Sequence, residues 1–127
     1  MKIGDANIIL RYFLSDNAEQ FLVASDLIED SELFFPMEII AEVVYVLKKV
    51  YKVNRKKISS LLSDLFKLPN ITTTNKEILK DSLYSFSETS LDFVDCILIA
   101  YKRKQNYEVV TFDKQLKSFL EKNEISN

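Results

Sequence analysis

Short apolar runs alternate with longer helical segments along the whole chain. Residues 1–3, 33–35, 71–73 and 108–112 have the length and the apolar, β-branched or aromatic content of strands. Strands separated by helices pair mostly in parallel, and the helices then cover the faces of the sheet. This order predicts an α/β fold, with a mostly parallel twisted sheet of four to five short strands flanked by helices.

Helical periodicity fills the intervals between these runs. In residues 54–68 the apolar side chains follow the i, i+3, i+4, i+7 spacing of an amphipathic helix. Asn75 and Ser90 are candidate N-caps, because their side chains can accept hydrogen bonds from the free N–H groups of a first turn. The remaining helices are predicted over residues 8–13, 18–28, 37–50, 75–86, 90–104 and 114–120.

The composition is that of a globular protein, with 47% hydrophobic and 28% charged residues. A length of 127 residues supports one hydrophobic core, so residues 1–127 are expected to form a single domain. We expect a cytoplasmic protein without a membrane partner, because neither a signal peptide nor an apolar stretch of about 20 residues is present. The single cysteine, Cys96, excludes an internal disulfide, and its apolar neighbours predict a buried thiol.

Residue types on which many enzymes depend are missing or scarce. Histidine is absent, which excludes Ser-His-Asp and Cys-His catalysis and the usual zinc sites. Gly4 is the only glycine, so the glycine-rich loops that cradle nucleotide phosphates are excluded as well. Carboxylates must therefore carry any hydrolytic chemistry.

Four carboxylates stand beside apolar residues that are expected to be buried. Asp5 and Asp113 follow predicted strands, whereas Glu42 and Asp95 lie in apolar predicted helices. A buried carboxylate is costly unless it is paired or binds a metal, and several that converge repel one another. A hard cation, Mg²⁺ or Mn²⁺, would resolve this conflict, and an oxygen-only ligand set selects such an ion. The pattern predicts metal-dependent hydrolysis of phosphodiesters.

Each of these acids also has a simpler interpretation. Asp5 and Asp113 suit the N-caps of the helices that follow them, and Asn7 is a second candidate for the first of these caps. Glu42 can be a solvated residue on a narrow polar stripe that Lys49 continues. The prediction of a site depends on the convergence of all four acids, since any one of them has another explanation.

A fifth acid, Asp92, lies three residues before Asp95 and on the same predicted helix face. Its position near the start of that helix favours an interaction with the helix dipole. Asp95 lies deeper in the apolar run, so Asp95 is the better ligand candidate and Asp92 a supporting residue.

Positive charge is concentrated in one segment. Residues 1–42 hold nine acids and two bases, whereas residues 43–57 hold six bases and no acid. Such a cluster can attract phosphate groups, although a solvated helix end is the alternative interpretation. The candidate contacts to an RNA backbone are Lys48, Lys49, Lys52 and Arg55.

The chain resembles the PIN-domain family, especially its VapC-type toxin ribonucleases, over residues 1–116. The order and spacing of the short motifs carry the resemblance, because each motif alone is common. The motifs are DANIILRY at residues 5–12, AEVVYVL at 41–47, DFVDCILIA at 92–100 and VVTFDK at 109–114.

The resemblance implies a three-layer α/β/α fold and an acidic quartet around Mg²⁺ or Mn²⁺. The quartet consists of Asp5, Glu42, Asp95 and Asp113, and the family's accompanying polar residues match Asn7 and Thr111. The implied activity is endonucleolytic cleavage of RNA that leaves 5′-phosphate and 3′-hydroxyl ends. Toxin members form homodimers and are silenced by a cognate antitoxin protein, as part of a type II toxin-antitoxin pair.

Two departures from the family pattern concern the ends of the chain. Gly4 stands where the family commonly has a bulky apolar residue. In residues 121–127 only Ile125 suits a last edge strand.

Two other functions stay open. One is a catalytically silent PIN scaffold that acts through protein interaction. The other is aspartyl-phosphate chemistry with Asp5 as the nucleophile, as in receiver domains or small phosphatases. Asn7 argues against the phosphatase version, since that chemistry needs a second carboxylate two residues after the nucleophile.

Overall fold

The computed structural model describes the backbone of residues 1–126 and the side chains of residues 1–122, so that Asn127 lies outside the described residues. Within this range the chain forms three strands and seven helices. In chain order the elements are β1 (Lys2–Ile3), α1 (Ala6–Leu14), α2 (Ala18–Asp30), β2 (Leu33–Phe34), α3 (Met37–Lys49), α4 (Arg55–Phe66), β3 (Ile71–Thr72), α5 (Lys76–Glu88), α6 (Phe93–Gln105) and α7 (Lys114–Ser126).

The three strands form one parallel sheet in the order β1-β2-β3. Ile3 is paired with Phe34, and Phe34 with Thr72. Because the strands are parallel, their carboxyl ends lie at one edge of the sheet, where α1, α3 and α5 begin. The predicted α/β class, with a parallel sheet flanked by helices, is confirmed.

The predicted number of strands, four to five, is wrong for the described part of the chain. Residues 108–112 form no strand there. Val110 and Phe112 face water, 89% and 99% exposed, whereas Val109 is half-buried against the core. A β-branched run becomes a strand only when a neighbouring strand pairs with it, and none pairs with this segment. The tail in which only Ile125 suits an edge strand belongs to α7, which runs over Lys114–Ser126.

The predicted helices are present, with differences at their ends. Asn75 caps α5 as predicted, through hydrogen bonds from the N–H groups of Glu77 and Ile78. The predicted cap Ser90 is wrong, because α6 begins at Phe93 and its N-cap position is held by Asp92. None of the helices within residues 1–126 is long and apolar enough to cross a bilayer.

The core lies between the sheet and the helices, and α3 supplies much of it. Ile40, Val43, Val44 and Leu47 are buried on one side of α3. Cys96 on α6 is fully buried, which confirms the predicted packing thiol. Burial raises the pKa of this thiol to about 11.

The ring of Phe35 fills the space beside Gly4. A Cβ atom at position 4 would overlap Cε1 of Phe35 and lie 2.8 Å from its Cζ atom. Phe35 is fully buried and packs edge-on against Phe66, with ring centroids 6.2 Å apart. Gly4 has no positive φ angle, so its role is steric. The absence of a side chain at position 4 is therefore matched by a large side chain immediately after β2.

The variant Gly4→Val is expected to be less stable than the wild type by about 1–3 kcal/mol, the usual cost of overpacking a core. Phe35→Leu removes the ring atoms that the new side chain meets. The double variant should therefore be more stable than the sum of the two single effects predicts. Urea unfolding of the four proteins measures this coupling, and strictly additive effects would contradict the steric contact.

Candidate functional site

Asp5 is the second residue after β1, at the carboxyl edge of the sheet. It is the N-cap of α1, where its Oδ1 accepts a hydrogen bond from the N–H of Ile8 at 3.4 Å, so the cap is Asp5 rather than Asn7. Asp5 and Asn7 line a groove of ≈ 360 Å³ between α1 and α2, together with Arg11 and Glu19. Asp5 is exposed, so the expectation that it is buried is wrong.

Glu42 is exposed on α3. The expectation that an apolar interior surrounds it is wrong, because Glu38, Glu42, Tyr45 and Lys49 form an exposed stripe along this helix. Seven residues separate Glu42 from Lys49, which corresponds to two helical turns, and both side chains therefore point in nearly the same direction. The polar stripe predicted as the simpler interpretation is thus present in the structure.

Asp92 and Asp95 lie at the start of α6. Asp92 occupies the N-cap position, but its side chain accepts no capping hydrogen bond. Asp95 lies in the first turn and is half-buried. Burial raises the pKa of Asp95, and the negative charges of Asp92 and Asp113 raise it further. The structure therefore brings these three carboxylates into one electrostatic neighbourhood.

Asp113 lies immediately before α7 and is exposed. Its Oδ1 accepts a hydrogen bond from the N–H of Leu116 at 2.8 Å, which is the capping interaction that the sequence suggested. The N–H of Asp113 in turn donates to Oγ1 of Thr111 at 3.0 Å. Thr111 thus holds the backbone at the residue whose negative charge acts on Asp95.

A groove of ≈ 380 Å³ separates α3 from the start of α6, and we call it the α3/α6 groove. Asp92 and Asp95 line it from α6, and Lys48 and Lys49 line it from α3. Among the side chains of residues 1–122, these two lysines form no ion pair. The other residues that line the α3/α6 groove are Ala41, Val44, Tyr45, Phe86, Phe93 and Val94.

Arg55 serves the fold at this site, a role that the sequence did not reveal. Its Nε donates to the carbonyl oxygen of Phe86 at 2.7 Å, and its Nη2 donates to the carbonyl oxygen of Leu91. The guanidinium also lies over the Phe86 ring, 3.7 Å from the ring centroid. Burial lowers the pKa of Arg55, against the attraction of Cys96 and Asp92. These bonds fix the turn that leads into Asp92, and the predicted contact of Arg55 with RNA stays a prediction.

The donor chemistry of the three neighbouring carboxylates suits a hard divalent cation. Burial raises the pKa of Asp95, the charges of Asp92 and Asp113 raise it further, and a cation would relieve the repulsion among the three carboxylates. Among the described residues, however, no three acidic or thiol side chains lie close enough together to hold one ion. Asp5 lines a different groove and Glu42 lies on the α3 stripe. The convergence of the full quartet therefore stays a prediction.

Comparisons with known proteins agree on one family. A family model described as PIN domain matches residues 3–121. The VapC ribonuclease of Aquifex aeolicus (strain VF5) is 27% identical to this chain over 123 residues, which cover 92% of the chain and 90% of that protein. No solved structure matches the chain significantly. The similarity thus extends over nearly the whole sequence.

The variant Arg55→Lys is expected to lower the free energy of unfolding by about 2 kcal/mol, since it keeps the charge but loses the hydrogen bonds to two carbonyl groups. Urea unfolding measures the change. Lys56→Met, at the exposed neighbouring position, is the matched control and should leave stability nearly unchanged. An Arg55→Lys protein as stable as this control would contradict the anchoring role.

The variant Asp95→Asn is expected to stabilise the metal-free protein at pH 7. The raised pKa of Asp95 in the folded state means that ionisation of this group opposes folding, and this effect grows as the pH rises above about 4. The gain should be present at pH 7 and absent near pH 3. Thermal unfolding in EDTA at both pH values tests this, with the exposed Asp26→Asn as control. A loss of stability at pH 7 would contradict the raised pKa of Asp95 in the folded state.

Proposed function

The chain belongs to the PIN-domain family, and from this premise we propose that it is a divalent-metal-dependent endoribonuclease, the toxin of a type II toxin-antitoxin pair. The observation that carries the proposal is that Asp92 and Asp95, near enough to Asp113 for its charge to act on Asp95, line a groove with two lysines that form no ion pair among the described side chains. The name of the Aquifex aeolicus relative, a VapC ribonuclease, supports the same activity. In this proposal residues 1–127 act as one PIN domain in the cytoplasm.

The proposed ligands of Mg²⁺ or Mn²⁺ are the acidic quartet of Asp5, Glu42, Asp95 and Asp113. When bound, such an ion activates water and neutralises negative charge that develops on the phosphate. Asp5 and Asp113 each use one carboxylate oxygen as a helix cap, and their Oδ2 atoms accept no hydrogen bond among the described residues. Capping therefore orients these two side chains and leaves a ligand atom available.

The supporting residues hold these acids in place or adjust their charge. Thr111 binds the N–H of Asp113 and so fixes the turn before α7. Burial raises the pKa of Asp95 and the charge of Asp92 raises it further, so a positive charge near these two carboxylates is favourable. Asn7 lines the groove in which Asp5 lies.

The proposed substrate is RNA, bound along the basic end of α3. Lys48 and Lys49 line the same groove as Asp92 and Asp95, so a phosphate held by the lysines lies beside the acids. Lys52 is exposed a few residues later and extends this basic surface. Hydrolysis of the bond between phosphorus and the 3′-oxygen leaves a 5′-phosphate on one product and a 3′-hydroxyl on the other. The proposed protein partners are a second copy of the chain and a cognate antitoxin.

A catalytically silent PIN scaffold is the second candidate function. The observation in its favour is that Asp5 and Asp95 line different grooves. Calorimetry with Mn²⁺ separates the two candidates, because a silent scaffold has no ion binding that depends on Asp5.

The variants Asp5→Asn and Asp95→Asn are each expected to reduce Mg²⁺-dependent cleavage of RNA by about 100-fold or more, since loss of even an outer-shell partner costs metal sites up to about that factor. Cleavage of a labelled RNA and growth arrest on expression are the measurements. Circular dichroism should show an unchanged fold, and Asp26→Asn should keep full activity. Full activity in both site variants would refute the proposed site. Absence of cleavage and of Mn²⁺ binding in the wild type would favour the scaffold.

A further inference from the structure

We propose that the α3/α6 groove holds one unstacked base of single-stranded RNA, with the ring of Tyr45 as its stacking surface. This inference rests on the proposed function, because it concerns how the same site takes its substrate. It identifies the substrate as RNA that is unpaired at the bound position.

Tyr45 presents a free aromatic face at the wall of this groove. The side chain is 63% exposed on α3, and among the described residues no other ring packs against it. Val94, 58% exposed, lines the groove from α6. Between these walls lie the buried side chains Val44, Phe86 and Phe93. Both walls of the groove thus carry an exposed side chain with apolar surface.

The charges around Tyr45 favour a nucleotide as the occupant. Lys48 lies three residues after Tyr45 and Lys49 four residues after it, on the adjacent turn of α3. Both lysines line the groove without an ion pair among the described side chains. An aromatic face for the base next to free cations for the phosphates is the combination with which proteins bind single strands.

The size and shape of the groove favour an unpaired base. Its volume of ≈ 380 Å³ lies within the range of small-ligand sites, roughly 300–1,000 Å³. A base within a duplex is stacked on both faces and cannot reach an aromatic side chain, whereas a base in a loop or single strand can. The groove therefore selects unpaired RNA.

The test measures RNA affinity by fluorescence anisotropy in EDTA, which prevents cleavage. The probes are a short labelled single strand and a fully paired duplex of equal length, and the duplex should bind more weakly because its bases are stacked on both faces. Equal affinity of the wild type for the two probes would overturn the inference. Tyr45→Ala should weaken binding of the single strand by about tenfold, the effect of losing one stacked base. Tyr45→Phe keeps the ring and should bind like the wild type. Tyr84→Ala is the matched control, because Tyr84 is 60% exposed on α5 and does not line this groove.

The contribution of the phosphates is measured separately with Lys49→Ala. This variant should lower the salt dependence of single-strand binding by about one unit of slope, whereas Tyr45→Ala should leave that slope unchanged. An unchanged slope in Lys49→Ala would place the phosphates elsewhere and overturn this binding mode.

The remaining outcomes separate this inference from the proposed function. Equal affinity of Tyr45→Ala and Tyr84→Ala for the single strand, together with Asp95-dependent cleavage, would overturn the inference and leave the ribonuclease in place. Light scattering on the same variants tests for a protein occupant. If Tyr45→Ala changes the molecular mass in solution but not the RNA affinity, the groove is a contact between protein chains. A wild type that binds neither probe would overturn both proposals.

Discussion

A very small parallel sheet determines where the functional side chains lie. Each of the three strands has two residues, yet their parallel pairing places the starts of α1, α3 and α5 at one edge. So few ladder hydrogen bonds cannot maintain this arrangement alone, and the helices packed around the buried face of α3 supply most of the apolar contact. The contact between Gly4 and Phe35 belongs to this constraint, because it fixes the spacing of β1 and β2 directly before Asp5.

Helix capping and metal binding are compatible uses of the same carboxylates. A cap fixes the direction of an aspartate with one oxygen and leaves the second oxygen for another partner. Asp5 and Asp113 are held in this way, by the N–H groups of Ile8 and Leu116. Asp92 has the cap position without the cap bond, so its charge acts on Asp95 instead. An aspartate that caps a helix can therefore also have a role in the site.

Local sequence patterns predicted the helices. The features that were predicted wrongly, or not at all, depend on contacts between residues far apart in the sequence. The apolar periodicity of residues 54–68 corresponds to α4, and Asn75 caps α5 as its position suggested. Residues 108–112 have strand composition but no partner strand, and a partner cannot be seen in local composition. Arg55 was missed for the same reason, since its hydrogen bonds reach backbone carbonyls 31 and 36 residues away. Its position in a basic stretch suggested only surface charge.

The separation of charges in the α3/α6 groove indicates what kind of ligand suits it. Two lysines and two aspartates line this groove. If each lysine formed an ion pair with an aspartate, their charges would cancel. Among the described side chains the lysines form no ion pair. Burial and the negative charge of Asp92 raise the pKa of Asp95. The positive charge thus stays available for an anion and the negative charge for a cation. A phosphodiester that binds together with a divalent ion satisfies both at once, whereas an uncharged ligand or a purely acidic peptide satisfies at most one.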